Sequence, residues 1–188
     1  MSQSRVPKGT PKTGGQFAAG RKPEGDDLVL PQRGQAVTTA PWTQEKLIER
    51  KVFFAKRVAA QNKETTGYAY DWYAMERVMV AYGGVAAVPP MEPEDNIFEL
   101  VDNGTFSSDP AIMREGDPSQ CHANTAQLWT DGEIDEICTG YALSGDGLWR
   151  QHSWGRKNGK TVETTEPRLA YYGYVVEDPK DWSEKQLR

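Results

Sequence analysis

The sequence predicts an α+β protein in which N-terminal helices pack on a small antiparallel sheet. Three observations predict it. Apolar residues recur at helical spacing from Leu47 to Tyr82, whereas beyond Ile134 they fall in short runs broken by Ser144-Gly-Asp-Gly147 and Asn158-Gly159 turns. The first forty residues mix Pro, Gly and Lys with no periodicity. At 188 residues the chain is long enough for one domain, yet its hydrophobic fraction of 37% and mean hydropathy of -0.71 imply that part of it does not pack. We therefore divide it into a flexible basic leader, 1–40, and one α+β domain, 41–188, with a helical part over 41–129 and a sheet part over 133–177.

The leader contains little that would offset the entropy of ordering its backbone. Its reading as a solvated tail stands beside that of a docking tag. From Val6 to Ala18 it resembles a Val-Pro-x-Gly-x-Pro-x-Gly-Gly-Gln-Phe-Ala opening found in proteins of actinobacteria and their phages, with Lys12 as one extra residue.

The first helix starts after Pro41, with Thr43 as N-cap and Trp42 placed to pack on Leu47. Leu47, Ile48, Val52, Ala55, Val58 and Ala59 form its apolar stripe, and it ends near Gly67. A second helix from Tyr68 to Tyr82 carries Trp72, Met75, Val78, Met79 and Tyr82, a stripe that reads as core, and stops at Gly83-Gly84. Residues 85–95 hold Pro89, Pro90 and Pro93 and read as a loop. A short helix from Asp95 to Val101 follows, and 105–118 reads as irregular.

A further helix is expected from Pro118 to Trp129, capped by Asp117 or Ser119, which places Cys121 in its first turn. Strands then run over Ile134–Leu143, Leu148–Trp154, Thr161–Thr165 and Tyr172–Val176, followed by a polar tail. A two-residue turn at Asn158-Gly159 pairs Lys157 with Lys160. Counting back sets Trp154 opposite Glu163 and His152 opposite Thr165, so His152 and Glu163 are diagonal neighbours on one face.

That spacing supports thiol chemistry. A helix N-terminus lowers the pKa of a cysteine and offers amides to an oxyanion. An imidazole takes and returns the proton, and a carboxylate on its far nitrogen fixes the tautomer. Cys121, His152 and Glu163 fill those three roles in order. Asn124, Trp154 and Tyr141 are the expected substrate-binding residues. Each has a structural alternative: Cys121 as a buried small hydrophobe, His152 as a core histidine, Glu163 as a solvated acid, Asn124 as a backbone cap. Trp149 and Trp154 point to opposite faces, so at most one lines a cleft. His122 lies about 100° round the helix from Cys121 and is a poor base for it.

Cys-x-x-Asn on a helix, Gly140-Tyr141 on a strand, His152-x-Trp154 on the next, then Glu163-Thr-Thr165 and Tyr171-x-Gly173, resemble bacterial and phage proteins of transglutaminase-like or papain-like fold. The family commonly has Asp where this chain has Glu163. The resemblance spans roughly the last third of the chain and implies a transglutaminase/papain-like core. It also implies acyl transfer at an amide of a protein or peptide: hydrolysis, deamidation, transamidation, or a relative without activity. The alternative is a non-enzymatic phage or bacterial accessory protein that engages a protein partner on the same fold.

Charge and composition narrow the partners. Residues 1–40 carry six Lys or Arg and three Asp or Glu; the remainder carries sixteen and twenty-four, a net of -8. Such a balance argues against a nucleic-acid face on the folded part. No apolar run of about 18 residues is present and no signal peptide is read, so the expectation is a cytoplasmic protein, in the host cytoplasm if phage-encoded. Two cysteines, Cys121 and Cys138, are too few for a disulfide scaffold. Cys121, His122, Cys138 and His152 lack the paired spacing of structural zinc motifs, so neither metal nor cofactor is expected.

Overall fold

The computed structural model describes residues 42–94 and 97–188; the leader expected over 1–40 lies outside them. Helix α1 (Gln44–Glu64) begins at Thr43, whose hydroxyl accepts the Lys46 amide at 3.3 Å, as a helix start requires. Its buried stripe is Phe54, Val58 and Gln61, and the expected Ile48 and Val52 are instead 55% and 50% exposed. At 100° per residue Ile48 lies about 120° and Val52 about 160° round the helix from Phe54, and the helix touches the core along one narrow line only. Trp42 packs with Phe54, Ala86 and Leu148, and its indole donates to the Asp146 carbonyl at 2.6 Å.

Helix α2 (Tyr68–Tyr82) buries Tyr68, Trp72, Met75 and Met79. The two-residue strand β1 (Ala86–Ala87) follows within the segment expected to be loop. Next come α3 (Ile97–Asn103) and the strands β2 (Thr105–Ser107) and β3 (Ile112–Met113), which occupy the segment expected to be irregular. After α4 (Cys121–Thr130) the sheet is built from β4 (Glu136–Leu143), β5 (Leu148–Lys157), β6 (Lys160–Glu163) and β7 (Ala170–Val175). Helix α5 (Pro179–Gln186) ends the order, in the expected polar tail.

Mixed α/β architecture is therefore present, with five helices and a seven-stranded sheet among the described residues. The strand order is β2-β7-β4-β5-β6-β3, with β1 added on β5. The sheet is not wholly antiparallel, because β1 runs parallel to β5 and β3 parallel to β6. One face carries Tyr141, Leu143, Trp149 and Tyr172 into the core formed with α2 and α3. The other gathers Cys138, Ala142, Trp154 and Tyr171. Trp149 and Trp154 thus do lie on opposite faces. No described helix is long and apolar enough to cross a membrane.

Gly140 and Gly173 are partners across β4 and β7. A Cβ on Gly173 would meet the Thr139 carbonyl oxygen and lie 2.6 Å from Cη2 of Trp154, so the missing side chain is space that the β4 backbone and the indole occupy. Gly173→Ala is expected to lower stability by about 2–3 kcal/mol through overpacking, read as a lower urea midpoint. An unchanged midpoint would show that both the β4 backbone at Thr139 and the indole can give way.

Candidate active site

Cys121 is the first residue of α4, later than the expected start at Pro118. Ser119 has a φ of +62°, which breaks the helical path, and Gln120 at the N-cap makes no side-chain capping bond. The thiol is half-buried at the helix end, where the first-turn amides have no carbonyl partner within the helix.

The hairpin supplies the other two groups. Asn158 and Gly159 both have positive φ, as a two-residue turn of this hand demands, and the ladder pairs Lys157 with Lys160 and Gly155 with Val162. Continued by one step, it brings Trp154 beside Glu163, where β6 ends. Glu163 then reaches diagonally to His152, with Oε2 2.8 Å from Nε2.

Glu163 is fully buried and surrounded by donors. Its Oε1 accepts the amides of Thr164 at 2.8 Å and Thr165 at 2.9 Å, and the Thr165 hydroxyl at 3.0 Å. Its Oε2 also accepts the Tyr171 hydroxyl, at 3.1 Å. Burial works to raise its pKa, but the His152 ring and these amides hold it down at about 2. Glu163 is therefore an anion at neutral pH.

With Nε2 committed to Glu163, Nδ1 is the ring nitrogen of His152 left to act on the Cys121 thiol. Burial pulls the His152 pKa down, but the Cys121 and Glu163 bonds outweigh it and hold it above the ordinary imidazole value. Burial likewise pushes the Cys121 thiol up. The His152 bond and charge and the Ser153 backbone amide more than offset that, and its pKa lies below the ordinary thiol value. All three shifts favour thiolate, imidazolium and carboxylate in one line.

The sheet explains how a helix end reaches this strand. On its outer edge β5 is paired with β1 at Leu148 and Trp149 and with β6 from Gly155 to Lys157. Between them no strand among the described residues claims the edge. The Gly147 and Trp149 carbonyls bond outward to Val85 and Val88, while those of Leu148 and Arg156 bond inward to Ser144 and Asp135. By alternation Gln151 and Ser153 also turn their backbone groups outward. The Ser153 amide meets Cys121, and exposed Gln151 lies two residues away.

The three expected substrate-binding residues are placed differently. Tyr141 is one residue out of phase with Gly140, the partner of His152, so it points to the opposite face. It is fully buried there, edge-on to Trp72, with its hydroxyl on Glu94. Asn124 clamps the preceding loop: its Nδ2 donates to the Asp117 carbonyl at 2.8 Å and its Oδ1 accepts the Asp117 amide at 3.1 Å. Trp154 is buried, lies nearly parallel to the His152 ring with centroids 6.3 Å apart, and packs on Tyr171. It supports the imidazole.

His122 and Ser153, neither of which the spacing of the sequence assigns to the site, are joined at 2.7 Å. Cys138 lies among Trp154, Tyr171 and Ala142, where burial pushes its thiol up to about 12. Among the described residues no three His, Cys, Asp or Glu side chains converge as a metal site. No family model matches this chain, and no curated protein or solved structure shows significant similarity to it.

Proposed function

We propose that the chain is a thiol-dependent amide hydrolase or acyltransferase with a transglutaminase-like or papain-like core, working through Cys121, His152 and Glu163. The observation that carries this reading is the continuous line from a helix-end thiol through a buried imidazole to a fully buried carboxylate. The Cys121 thiolate attacks the amide carbonyl carbon, and first-turn amides of α4 receive the oxyanion. As the C–N bond breaks, His152 gives its Nδ1 proton to the departing nitrogen, leaving a thioester. Water or a second amine then attacks, returns a proton to His152 and releases Cys121. Glu163 keeps the imidazole in the required tautomer throughout.

A protein or peptide substrate is favoured by the interval in the β5 edge. The outward backbone groups of Gln151 suit pairing with an extended main chain beside the sulfur. To test the reading, a peptide mixture is incubated with the full chain at neutral pH and monitored by mass spectrometry. Hydrolysed, deamidated or amine-linked peptides are expected, and they should vanish with Cys121→Ala. A folded wild-type chain that alters no peptide counts against the enzymatic reading.

The second reading, a protein that binds a partner without catalysis, rests on the exposed side of α1. Ile48, Val52 and Phe53 stand half-exposed there, and a cavity of about 390 Å³ lined in part by Phe54, Val58, Trp72 and Tyr73 lies between α1 and α2.

A further inference from the structure

We propose that His122 and Ser153 form a positioning pair that sets the Cys121 sulfur against His152; this rests on the thiol chemistry proposed above. The first turn of α4 has no capping side chain to hold it. Ser153 holds it instead, at two consecutive residues. Its backbone amide faces the Cys121 sulfur and helps lower the thiol pKa, and its hydroxyl is 2.7 Å from Nδ1 of His122. Ser153 is fully buried in β5, next to His152 in sequence, and its Oγ also lies 2.9 Å from Oγ1 of Thr139 on β4. One residue thus ties the nucleophile helix to the strand that carries the base.

The Ser153 hydroxyl lies between Nδ1 of His122 and Oγ1 of Thr139, and with one hydrogen and two lone pairs it can donate to one of them while accepting from the other. Burial first, and the charge of His152 second, hold the His122 pKa below the ordinary value, so the ring is neutral at pH 7. Edge-on packing against Trp182 of α5, with centroids 6.1 Å apart, fixes its plane. His122 is accordingly an anchor and not a second base: its Nδ1 is occupied, and its side chain leaves the helix about 100° from that of Cys121.

The pair has a consequence that packing alone does not. Helix rotation at Cys121 lengthens the thiolate–imidazolium contact, so losing the pair raises the titration midpoint of the thiol. The test measures iodoacetamide alkylation of Cys121 against pH in full-length chain carrying Cys138→Ser. His122→Ala should raise the midpoint and slow alkylation near pH 6 about tenfold. His122→Asn, which keeps a side-chain polar group near the Nδ1 position, should restore most of the rate. Ser153→Ala keeps the amide, loses the hydroxyl and should match His122→Ala, with the double variant no worse than either.

A lowered melting temperature with an unmoved midpoint in both His122→Ala and Ser153→Ala would reduce the pair to ordinary packing and overturn the proposal. So would failure of His122→Asn to recover the midpoint. If the wild-type thiol itself titrates at an ordinary value, the enzymatic reading falls and takes this one with it. A low wild-type midpoint that the variants leave in place overturns the positioning pair alone.

Discussion

Glu163→Ala is expected to destabilise the protein by about 3–5 kcal/mol, enough to unfold a marginal domain. The side chain is fully buried, and its loss strands five donors: the His152 ring, the Thr164 and Thr165 amides, and the Thr165 and Tyr171 hydroxyls. Glu163→Gln tests the same group more gently. Both Glu163 oxygens accept only from donors, so an NH₂ at either position faces an N–H or O–H. Equilibrium unfolding against pH separates charge from shape. A carboxylate with a depressed pKa contributes stability above its unfolded value, about 4.3, and loses it as pH falls through about 2. A raised imidazole pKa contributes below about 6.5 and loses its share as pH rises through the higher folded value. The gap between wild type and Glu163→Gln should therefore be widest between about pH 4 and 6.5 and narrow on either side. A gap independent of pH would mean that the Glu163–His152 pair is not ionic.

His152→Ala is expected to slow alkylation of Cys121 at pH 7 by roughly ten- to a hundredfold. In the intact site two opposing effects act on the thiol: burial raises its pKa, and the imidazole lowers it more. Removing the ring leaves the burial, and the titration midpoint should move to or beyond the ordinary 8.5 or so. The Ser153 amide still faces the sulfur, which keeps the loss from being larger. Cys138 contributes no signal in either protein, since it is buried with its pKa pushed up to about 12. Equal rates in wild type and variant would show that the helix end alone activates the thiol.

The pairing of His152 with Glu163 was legible because one turn fixes it. Asn158-Gly159 admits a single register, and two steps of alternation then decide which side chains share a face. Tyr141 needed the register of the other hairpin as well. Gly140, its neighbour in the recognisable dipeptide, is the residue opposite His152, so Tyr141 belongs to the far face. Asn124 lies nearly one helical turn after Cys121, yet that spacing says nothing of the loop whose Asp117 it grips. Strands β1, β2 and β3 have two or three residues, too few to show alternation. Helix α5 was readable after all. Asp178 caps it by accepting the Asp181 amide at 3.0 Å and Pro179 opens it, a start signal hidden by the polarity of the helix itself.

The brevity of the strands at both ends of the sheet also bears on solubility. A sheet ending in a long free strand invites a second molecule to extend it, the first step toward fibrils and precipitates. Among the described residues the terminal strands β2 and β3 have three and two residues, too few to template a long added strand themselves. Lengthening β3 is expected to promote self-association.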